Sequence, residues 1–359
     1  MLFIPHKHLY ISCTSYVSSD EPDYKEVITD ANLRRRMGRL LKMAVWCGLK
    51  SLEGVPSERV AGIITSTGAG FMKDTISFGS SIFDREETLL NPSPFMQSTF
   101  NTASGYIALI RKIHAYNTTY VQQADGFVAS LVDAAMLLDD AGDGDVALVG
   151  AFDEVTPEVD VIRQRLGLYR VGDRSLPLGE GAAAFLLSAA MPTDVSESCR
   201  TTEMSAGPGG DDGSESGSGR DGDANSECST GPLRESESAS WPCDEFGSES
   251  SSEPQHEYGG TSSRLLNGTK DGNAALRFCG LANLSDLPKC AENPIAELFG
   301  INAGVNVISC ADHVEFLGAF RSLLPVLLCK LISEQKIPDG YTAIMDDVNE
   351  DGVIVLLHK

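Results

Sequence analysis

The segment YVQQADGFVASLVDAAMLL, residues 120–138, has the pattern of a short strand that turns tightly into a helix. Enzymes often place a nucleophile at such a corner, because the N-terminus of a helix favours negative charge and lowers the pKa of a thiol there. The candidate positions hold Gln122, Gln123, Ala124 and Asp125, and none of them is Ser, Cys or Lys. The pattern therefore predicts the position of a nucleophile but no nucleophile.

Other reactive residues favour structural interpretations. Cys310 and His313 are three residues apart, a poor geometry for a nucleophile and its base unless a turn joins them, so Cys310 is interpreted as a buried thiol that ends a strand. His6 and His8 are spaced like two ligands on one strand face, but no Cys, Asp or Glu accompanies them, and no metal site is predicted. The string GIITSTGAG lacks the Lys-Ser/Thr of a phosphate-binding loop and indicates a strand followed by a turn.

The negative charge is concentrated in one segment. The chain has 359 residues and a formal charge of −23. Residues 195–262 hold 15 acidic and 3 basic residues, a net charge of −12, in a sequence rich in Ser and Gly. Such a segment buries too little apolar surface to fold, so a disordered insert is predicted. Trp241 and Phe246 within it are either a short docking motif or isolated aromatics.

Composition also limits the partners and the compartment. An acidic body argues against nucleic-acid binding, which depends on Lys and Arg. No apolar run reaches the roughly 18 residues that a membrane span requires. The start of the sequence lacks the pattern of a signal peptide. Six Cys lie outside the acidic segment without a close pair, and four of them, Cys13, Cys47, Cys279 and Cys329, fall in apolar runs, which favours buried reduced thiols over disulfides or metal ligands. A cytoplasmic protein with no cofactor is expected.

Strands and helices alternate through residues 1–190. Asp30 is a helix-capping residue, and the apolar spacing after it predicts one helix of about six turns. The predicted strands are LYISCTSYV, RVAGIITST, TTYVQQA, DVALVGAFDE and GEGAAAFLLSA, and further helices are predicted in the second half of SPFMQSTFNTASGYIALIRKIHAYN and in FVASLVDAAMLLDDAG. Short apolar strands that alternate with helices indicate an α/β protein with a largely parallel sheet covered on both faces.

Residues 263–359 repeat this pattern in reduced form. The predicted strands are AALRFCGLANL, VNVISC, YTAIMDD and GVIVLLHK, and the predicted helices are PIAELFG and VEFLGAFRSLLPVLLCKLISEQ. Three regions follow from the sequence: a first half at 1–190, the disordered acidic insert at 195–262, and a smaller second half at 263–359.

Four segments in order resemble motifs of the beta-ketoacyl synthases, which are the condensing enzymes of fatty-acid and polyketide synthesis. They are NPSPFMQSTFNTASGYIAL with Asn101, VQQADGFVASLVDAA, DVALVGAFDEVTP with Gly150 and Glu154, and LPLGEGAAAFLLS with Gly179, Glu180 and Gly181. The resemblance is greatest to the chain length factors, including those of aryl-polyene pathways. It implies a thiolase-like α/β fold of five layers, αβαβα, with a truncated second half. It also implies dimerisation through the strand TTYVQQ.

The resemblance places Gln123 where the family has its catalytic Cys. A Gln amide cannot form the thioester, so Gln123 is either a retained hydrogen-bond donor or a polar residue at an abandoned site. The family's first catalytic His lies in a His-Gly-Thr-Gly-Thr loop, and no such string is present. His313 is the candidate for the second, although anchoring on Gly318 puts that position at Glu315. The glycine-rich loop near the family's C-terminus is also missing, and MDDVNEDGVIVLL occupies its place.

Three functions remain open from the sequence. The first is a non-condensing, chain-length-factor-like subunit that pairs with an active beta-ketoacyl synthase, or with itself, and works with an acyl carrier protein. The second is an acyltransferase or decarboxylase of carrier-bound malonyl groups that uses Gln123 and His313. The third is a non-catalytic scaffold whose acidic insert recruits partners. Five residues are candidates either for the partner interface and acyl tunnel or for plain core: Phe95, Met96, Phe100, Phe127 and Val128.

Overall fold

The computed structural model describes residues 1–18, 21–122, 124–142, 144–166, 170–171, 174–175, 179–190, 261–265, 275–313, 323–347 and 352–359. These residues belong to one compact unit. Most of the predicted acidic insert, up to residue 260, lies outside them, together with Trp241 and Phe246. The predicted three-region division therefore stays a prediction.

The first half contains the predicted alternation of strands and helices. Its elements in chain order are β1 (Leu2–Phe3), β2 (Leu9–Val17), α1 (Ala31–Arg36), α2 (Arg39–Ser51), β3 (Val60–Ser66), α3 (Met72–Asp84), α4 (Pro92–Ser98), α5 (Thr102–Arg111), β4 (Tyr116–Tyr120), α6 (Ala124–Asp140), β5 (Val146–Asp153), α7 (Pro157–Arg165), β6 (Arg170–Val171), β7 (Arg174–Ser175) and β8 (Gly181–Ser188).

The second half is shorter. Its described elements are β9 (Thr261–Leu265), β10 (Arg277–Asn283), α8 (Pro294–Phe299), β11 (Val305–Ser309), α9 (Leu324–Ser333), β12 (Tyr341–Met345) and β13 (Val353–His358). A short 3-10 helix, Cys310–His313, follows β11.

The two halves share one strand order. In the first half the order is β4-β3-β5-β8-β2, with β4, β3 and β5 parallel and β8 antiparallel to its neighbours. In the second half it is β11-β12-β13-β10, with β11 and β12 parallel and β13 antiparallel to both neighbours. The halves meet where β10 pairs with β2. The second half therefore repeats the first with one strand fewer among the described residues.

The missing strand corresponds to β3. The succession β4, α6, β5, β8 in the first half matches β11, α9, β12, β13 in the second. In the first half β3 separates β4 from β5, whereas β11 pairs directly with β12. The predicted truncation therefore consists of the loss of this strand. The segment between the end of α8 at Phe299 and the start of β11 at Val305 is too short to form a further strand and its loop.

Both sheet regions are buried on two faces. In β8 the residues Ala183, Phe185 and Leu187 belong to a central core that also contains residues of α6, α9 and β13, while the alternate residues pack against α2. In β13, Ile354 and Leu356 face the opposite way and form a third cluster with α8. The layers are therefore α2/α5, first sheet region, α6/α9, second sheet region and α8, which confirms the predicted five-layer fold.

The prediction of one long helix after Asp30 was wrong. Asp30 does cap α1, accepting hydrogen bonds from the backbone of Asn32 and Leu33. The helix then stops, and the backbone at Gly38 is extended before α2 begins. The side chain of Gln97 explains the break, because its oxygen accepts from the Gly38 N–H at 2.8 Å and its nitrogen donates to the Arg36 carbonyl. A tertiary contact replaces the helical hydrogen bonds at this point.

Residues 72–98 differ from the prediction in a second way. No helix was predicted at α3, and in the segment that forms α4 and α5 a helix was predicted only in the second half. No residue of α3 is buried, although Phe78 packs against Phe95 of α4 with the rings tilted by 44° and their centroids 5.1 Å apart. The pair α3–α4 therefore leaves much of its apolar surface exposed. Within the described residues, no helix combines the length and apolarity needed to cross a membrane.

Candidate functional site

The predicted corner lies between β4 and α6. Strand β4 ends at Tyr120, and α6 begins at Ala124. The turn is tight, because the Asp125 N–H donates to the Gln122 carbonyl at 3.1 Å. Gln123 lies outside the described residues, so the prediction that its side chain occupies a nucleophile's position stays a prediction. The strand-turn-helix geometry on both sides of it is present.

A buried carboxylate holds the loop beside this corner. Asp153, at the end of β5, is fully buried. It accepts hydrogen bonds from the Thr67 hydroxyl at 3.0 Å, the Gly68 N–H at 2.8 Å and the Ala69 N–H at 2.9 Å. The Thr67 N–H in turn donates to the Tyr120 carbonyl at 3.0 Å. Because Asp153 already occupies these amides, the loop holds a protein carboxylate rather than a phosphate, as the sequence interpretation of a turn requires.

Gly70 completes this loop. Its φ is 71°, a left-handed conformation that strains residues with a Cβ. A Cβ at Gly70 would also lie 2.5 Å from the ring of Phe100. The glycine thus lets the loop approach the junction between α4 and α5, next to the β4–α6 corner.

Strand β4 is an edge strand with an apolar border. It pairs with β3 on one side, and the sheet ends there among the described residues. Large apolar side chains are exposed on β4, directly after it and on the helices α5 and α6 that pack on it: Tyr116, Val121, Leu109 and Met136. Others are exposed on α3 and α4 and in the loops that adjoin them, and α4 packs on α5: Phe83, Leu89, Phe95, Met96 and Phe100. An unpaired strand edge beside a large apolar surface is typical of a protein–protein interface.

The structure separates the five interface or tunnel candidates. Phe95, Met96 and Phe100 are 55%, 63% and 44% exposed, so they are available to a partner. Phe127 and Val128 lie in the central core, where Phe127 makes an edge contact with Phe185 at 6.0 Å between centroids. For these two residues the plain-core interpretation is confirmed.

Residues 14–206, more than half of the chain, match the family described as the N-terminal domain of beta-ketoacyl synthase. The chain belongs to the beta-ketoacyl synthase family. A solved structure described as the ishigamide ketosynthase/chain length factor aligns over 98% of both chains, with a TM-score of 0.56 and 13% identity. A second, a type II PKS acyl-carrier protein in complex with its ketosynthase bound to the hexaketide, aligns over 98% of both chains with a TM-score of 0.57 and 11% identity. These likenesses concern the fold. No curated protein sequence matches the chain.

The two carboxylates that the beta-ketoacyl synthase motifs contribute serve as structural links here. Glu154 is buried and accepts a hydrogen bond from the Lys73 N–H, at the start of α3, at 2.9 Å. Burial raises the pKa of Glu154, and the nearby charges of Asp74 and Glu180 raise it further. Glu180 accepts from Arg39 of α2 at 2.5 Å. The motif residues therefore connect helices to the sheet in the described structure.

The second candidate catalytic residue of the beta-ketoacyl synthase pattern, His313, ends the 3-10 helix after β11. This helix is held by Asp347, which accepts from the Ser309 hydroxyl at 2.6 Å and from the Ala311 N–H at 3.0 Å. His313 is half-buried, and desolvation lowers its pKa, so the imidazole is neutral at pH 7. Strand β11 of the second half corresponds to β4 of the first. His313 follows β11 as Gln123 follows β4, so the two residues lie at corresponding ends of the two strands. Glu315 and Gly318 lie outside the described residues.

The remaining reactive candidates have structural roles where the structure describes them. Cys310 is fully buried, as predicted. His6 lies 3.4 Å from a carboxylate oxygen of Asp139, whereas His8 lies 3.4 Å from Arg277, so the two histidines have separate partners.

Sequence reasoning missed three residues of this region: Arg39, Asp133 and Asp153. Asp153 ends an otherwise apolar strand, and that position was a usable signal for a buried polar contact. Arg39 and Asp133 carry no comparable signal, because their partners are distant in the sequence or on another element.

Proposed function

We propose that this chain is a non-condensing, chain-length-factor-like subunit that pairs with an active beta-ketoacyl synthase through the edge of β4. The proposal depends on two features that lie next to each other in the fold: a strand edge open for pairing and a corner without a nucleophile. The edge strand β4 leads directly into the α6 corner, and the residues of that corner include no Ser, Cys or Lys. The chain thus retains the surface for pairing and lacks the nucleophile for condensation.

The chemistry of the corner supports a subunit without condensing activity. Condensation requires a thiolate that forms a thioester with the acyl group before carbon–carbon bond formation. The sequence offers Gln123 at that position by motif alignment, and an amide nitrogen does not replace a thiolate. The fully buried Cys310 is also a poor substitute, because its sulfur has no solvent access for a carrier-bound acyl group.

The border of β4 supports pairing. Leu109 of α5 and Met136 of α6 are 68% and 60% exposed on the helices beside the strand. Burying such side chains against a partner yields about 25 cal/mol for each Å² of apolar surface. Phe95 and Met96 on α4 and Phe100 just after it are also exposed, and in the proposed pair they would contribute to the interface and to the wall of the partner's acyl tunnel.

A basic surface supports a carrier protein as the further partner. Lys25, Arg34, Arg35 and Lys42 are among the residues around a surface cavity of about 440 Å³, in a chain of net charge −23. Such a local excess of positive charge attracts an acidic protein domain and orients it on approach. We expect an acidic acyl carrier protein to bind there.

Pairing is tested by co-expression with an active synthase that is encoded beside this chain and has an intact Cys-His-His set. We expect the two to co-purify, and we expect Leu109→Glu and Met136→Glu to abolish co-purification. Val307→Glu is the matched control, because Val307 is 54% exposed on β11, the edge strand of the other half. Retention of the synthase by both interface variants, or no association of the wild-type chain, would contradict the proposal.

The decarboxylase alternative is tested on the purified pair and on the chain alone. Incubation with malonyl-loaded carrier protein should release no carbon dioxide that depends on Gln123 or His313. If release is lost in Gln123→Ala and in His313→Gln, the chain is an enzyme in its own right. Deletion of residues 195–260 tests the scaffold alternative, since loss of a partner with an intact fold would assign recruitment to that segment.

A further inference from the structure

Two tyrosines and one carboxylate mark the face of β4 that α6 covers. The Tyr116 and Tyr120 hydroxyls both donate to the same oxygen of Asp133, each at 3.0 Å. Burial and the neighbouring carboxylate raise the pKa of Tyr120 to about 12, so its hydroxyl is protonated and donates at neutral pH. Asp133 is only half-buried, and no described basic side chain forms an ion pair with it.

The opposite face of β4 has different contacts. The Asn117 side chain donates to the Ser104 carbonyl of α5 at 3.1 Å, and the Thr119 hydroxyl lies 2.7 Å from that of Thr65. Residues 116, 118 and 120 therefore face α6, as the alternation of a strand requires. A partner that extends the sheet at β4 meets Asp133 on the α6 face and small polar residues on the α5 face.

Self-pairing would bring two copies of this carboxylate together. Antiparallel pairing of two β4 strands about a twofold axis keeps both α6 helices on the same side of the joined sheet. With Thr118 at the centre, Tyr116 of one copy lies opposite Tyr120 of the other, and directly opposite side chains are about 5 Å apart. Each Asp133 bonds to both of its own tyrosines, so self-pairing would place two carboxylates on the same face of the joined sheet, one on each side of the seam.

Helix α6 adds to this repulsion. Its sequence, ADGFVASLVDAAMLLDD, contains four Asp and no Lys or Arg. Asp125 and Met136 are exposed on the helix, and Asp133 lies between them on the chain. Two such helices facing each other across a twofold axis would place acidic residues on both sides of an otherwise apolar interface, where like charges disfavour association.

We propose that Asp133, positioned by Tyr116 and Tyr120, selects the partner of the β4 edge: it disfavours self-pairing and requires a Lys or Arg at the matching position of a different chain of the same fold. This inference depends on the proposed pairing through β4 and names the chemistry of the partner. The partner's Lys or Arg would lie on the same face of the joined sheet as Asp133, on the other side of the seam between the two edge strands. It would attract the carboxylate, whereas a second copy of Asp133 would repel it.

A charge exchange within this chain tests the inference without the partner. Wild-type chain and Asp133→Lys should each sediment as monomers at 100 µM, roughly the concentration at which weak pairs form. An equimolar mixture should form a 1:1 dimer, with a dissociation constant at least about tenfold lower than that of either chain alone. Wild type mixed with Asp140→Lys is the matched control, since Asp140 is an exposed carboxylate at the far end of the same helix, and this mixture should behave as wild type alone.

A neutral variant and salt sharpen the result. Asp133→Asn should self-associate more tightly than wild type, and 1 M salt should reduce the preference of the mixed pair, because screened charges discriminate less. A wild-type chain that is a stable dimer with a dissociation constant unchanged in Asp133→Asn would overturn the inference, and so would a mixture that associates no better than its components. The co-purification experiment tests the proposed function separately. If the inference about Asp133 is overturned but the synthase still co-purifies in a way that depends on Leu109 and Met136, the proposed function stands. If no synthase associates with the wild-type chain, the proposed function is contradicted whatever the Asp133 variants do.

Discussion

The two halves of the molecule share one strand order but differ in what closes their loops. In each half a carboxylate at the end of a strand accepts hydrogen bonds from the loop that leaves the neighbouring parallel strand. In the first half this is Asp153, fully buried with three donors. In the second half it is Asp347, exposed and with two donors. The first half has a closed, buried corner, whereas the described residues of the second half contain no equivalent of β3 and have an open corner.

This difference shows how a repeat can lose a strand and keep the fold. Helix α9 belongs to the second half in sequence but packs on the first sheet region: the Cys329 thiol lies 3.7 Å from the Ala184 carbonyl, and a Cβ at Gly181 would lie 3.4 Å from the Val326 side chain. The central layer is thus shared between the halves. A strand that is lost from the outer part of the second sheet region leaves this layer intact.

The largest expected effect is a difference in stability between variants of Asp153 and Asp347. Asp153→Ala should lower the free energy of unfolding by about 4 kcal/mol, because it leaves the buried Thr67 hydroxyl and two part-buried N–H groups, those of Gly68 and Ala69, without their acceptor. Asp347→Ala should cost about 1 kcal/mol, since water replaces the lost acceptor. Urea denaturation measures both. Asp153→Asn keeps one acceptor oxygen and should lie between them; equal costs in the two halves would contradict the comparison.

The next effect tests whether the central layer is shared. Leu327→Ala in α9 should cost about 3 kcal/mol as a fully buried leucine. Hydrogen exchange should then increase in β8 as well as in the second half. Ile295→Ala in α8 is the control, because Ile295 packs only within the outer cluster of the second half. It should leave the exchange of β8 unchanged.

We expect a titratable residue of each half to change the stability of the fold with pH in opposite directions. In the second half this residue is His313. Desolvation lowers the pKa of His313 below its usual 6.5, so the folded state favours the neutral imidazole. Its stabilising contribution is therefore present above pH 6.5 and is lost as the pH falls through the folded pKa. We expect His313→Gln to reduce the loss of stability between pH 7 and pH 5, measured by urea midpoints at each pH. An unchanged pH profile would contradict this assignment.

Glu154 of the first half should give the smallest effect, with the opposite sign. Burial raises the pKa of Glu154 above its usual 4.5, so the folded state favours the protonated acid. That contribution is fully present below pH 4.5 and is lost as the pH rises through the folded pKa. Glu154→Gln keeps an acceptor for the Lys73 N–H and should raise the urea midpoint at pH 7.5 but not at pH 4. A variant that is less stable than wild type at pH 7.5 would show that the charge itself is needed to hold α3.

The local pattern of apolar residues predicted most of the strands and helices, but it failed for α1 to α3. Continuous apolar runs such as AAAFLLS predicted strands like β8, because a strand buried on both faces needs apolar residues at every position. The same reasoning missed α3, whose apolar residues are not buried, and it merged α1 with α2. That break depends on Gln97, a residue about 60 positions away, and no local signal encodes such a contact.

By itself the sequence determined the α/β alternation, the motif order and the absence of a Ser, Cys or Lys at the β4–α6 corner, because these depend on residue type and spacing along the chain. Only the tertiary structure decided that Phe127 is core while Phe95 is exposed, that Asp153 holds the neighbouring loop, and that Tyr116, Tyr120 and Asp133 form one group at a sheet edge. The physical reason is that burial and hydrogen bonding are set by which distant segments pack together, and spacing along the chain carries no record of that.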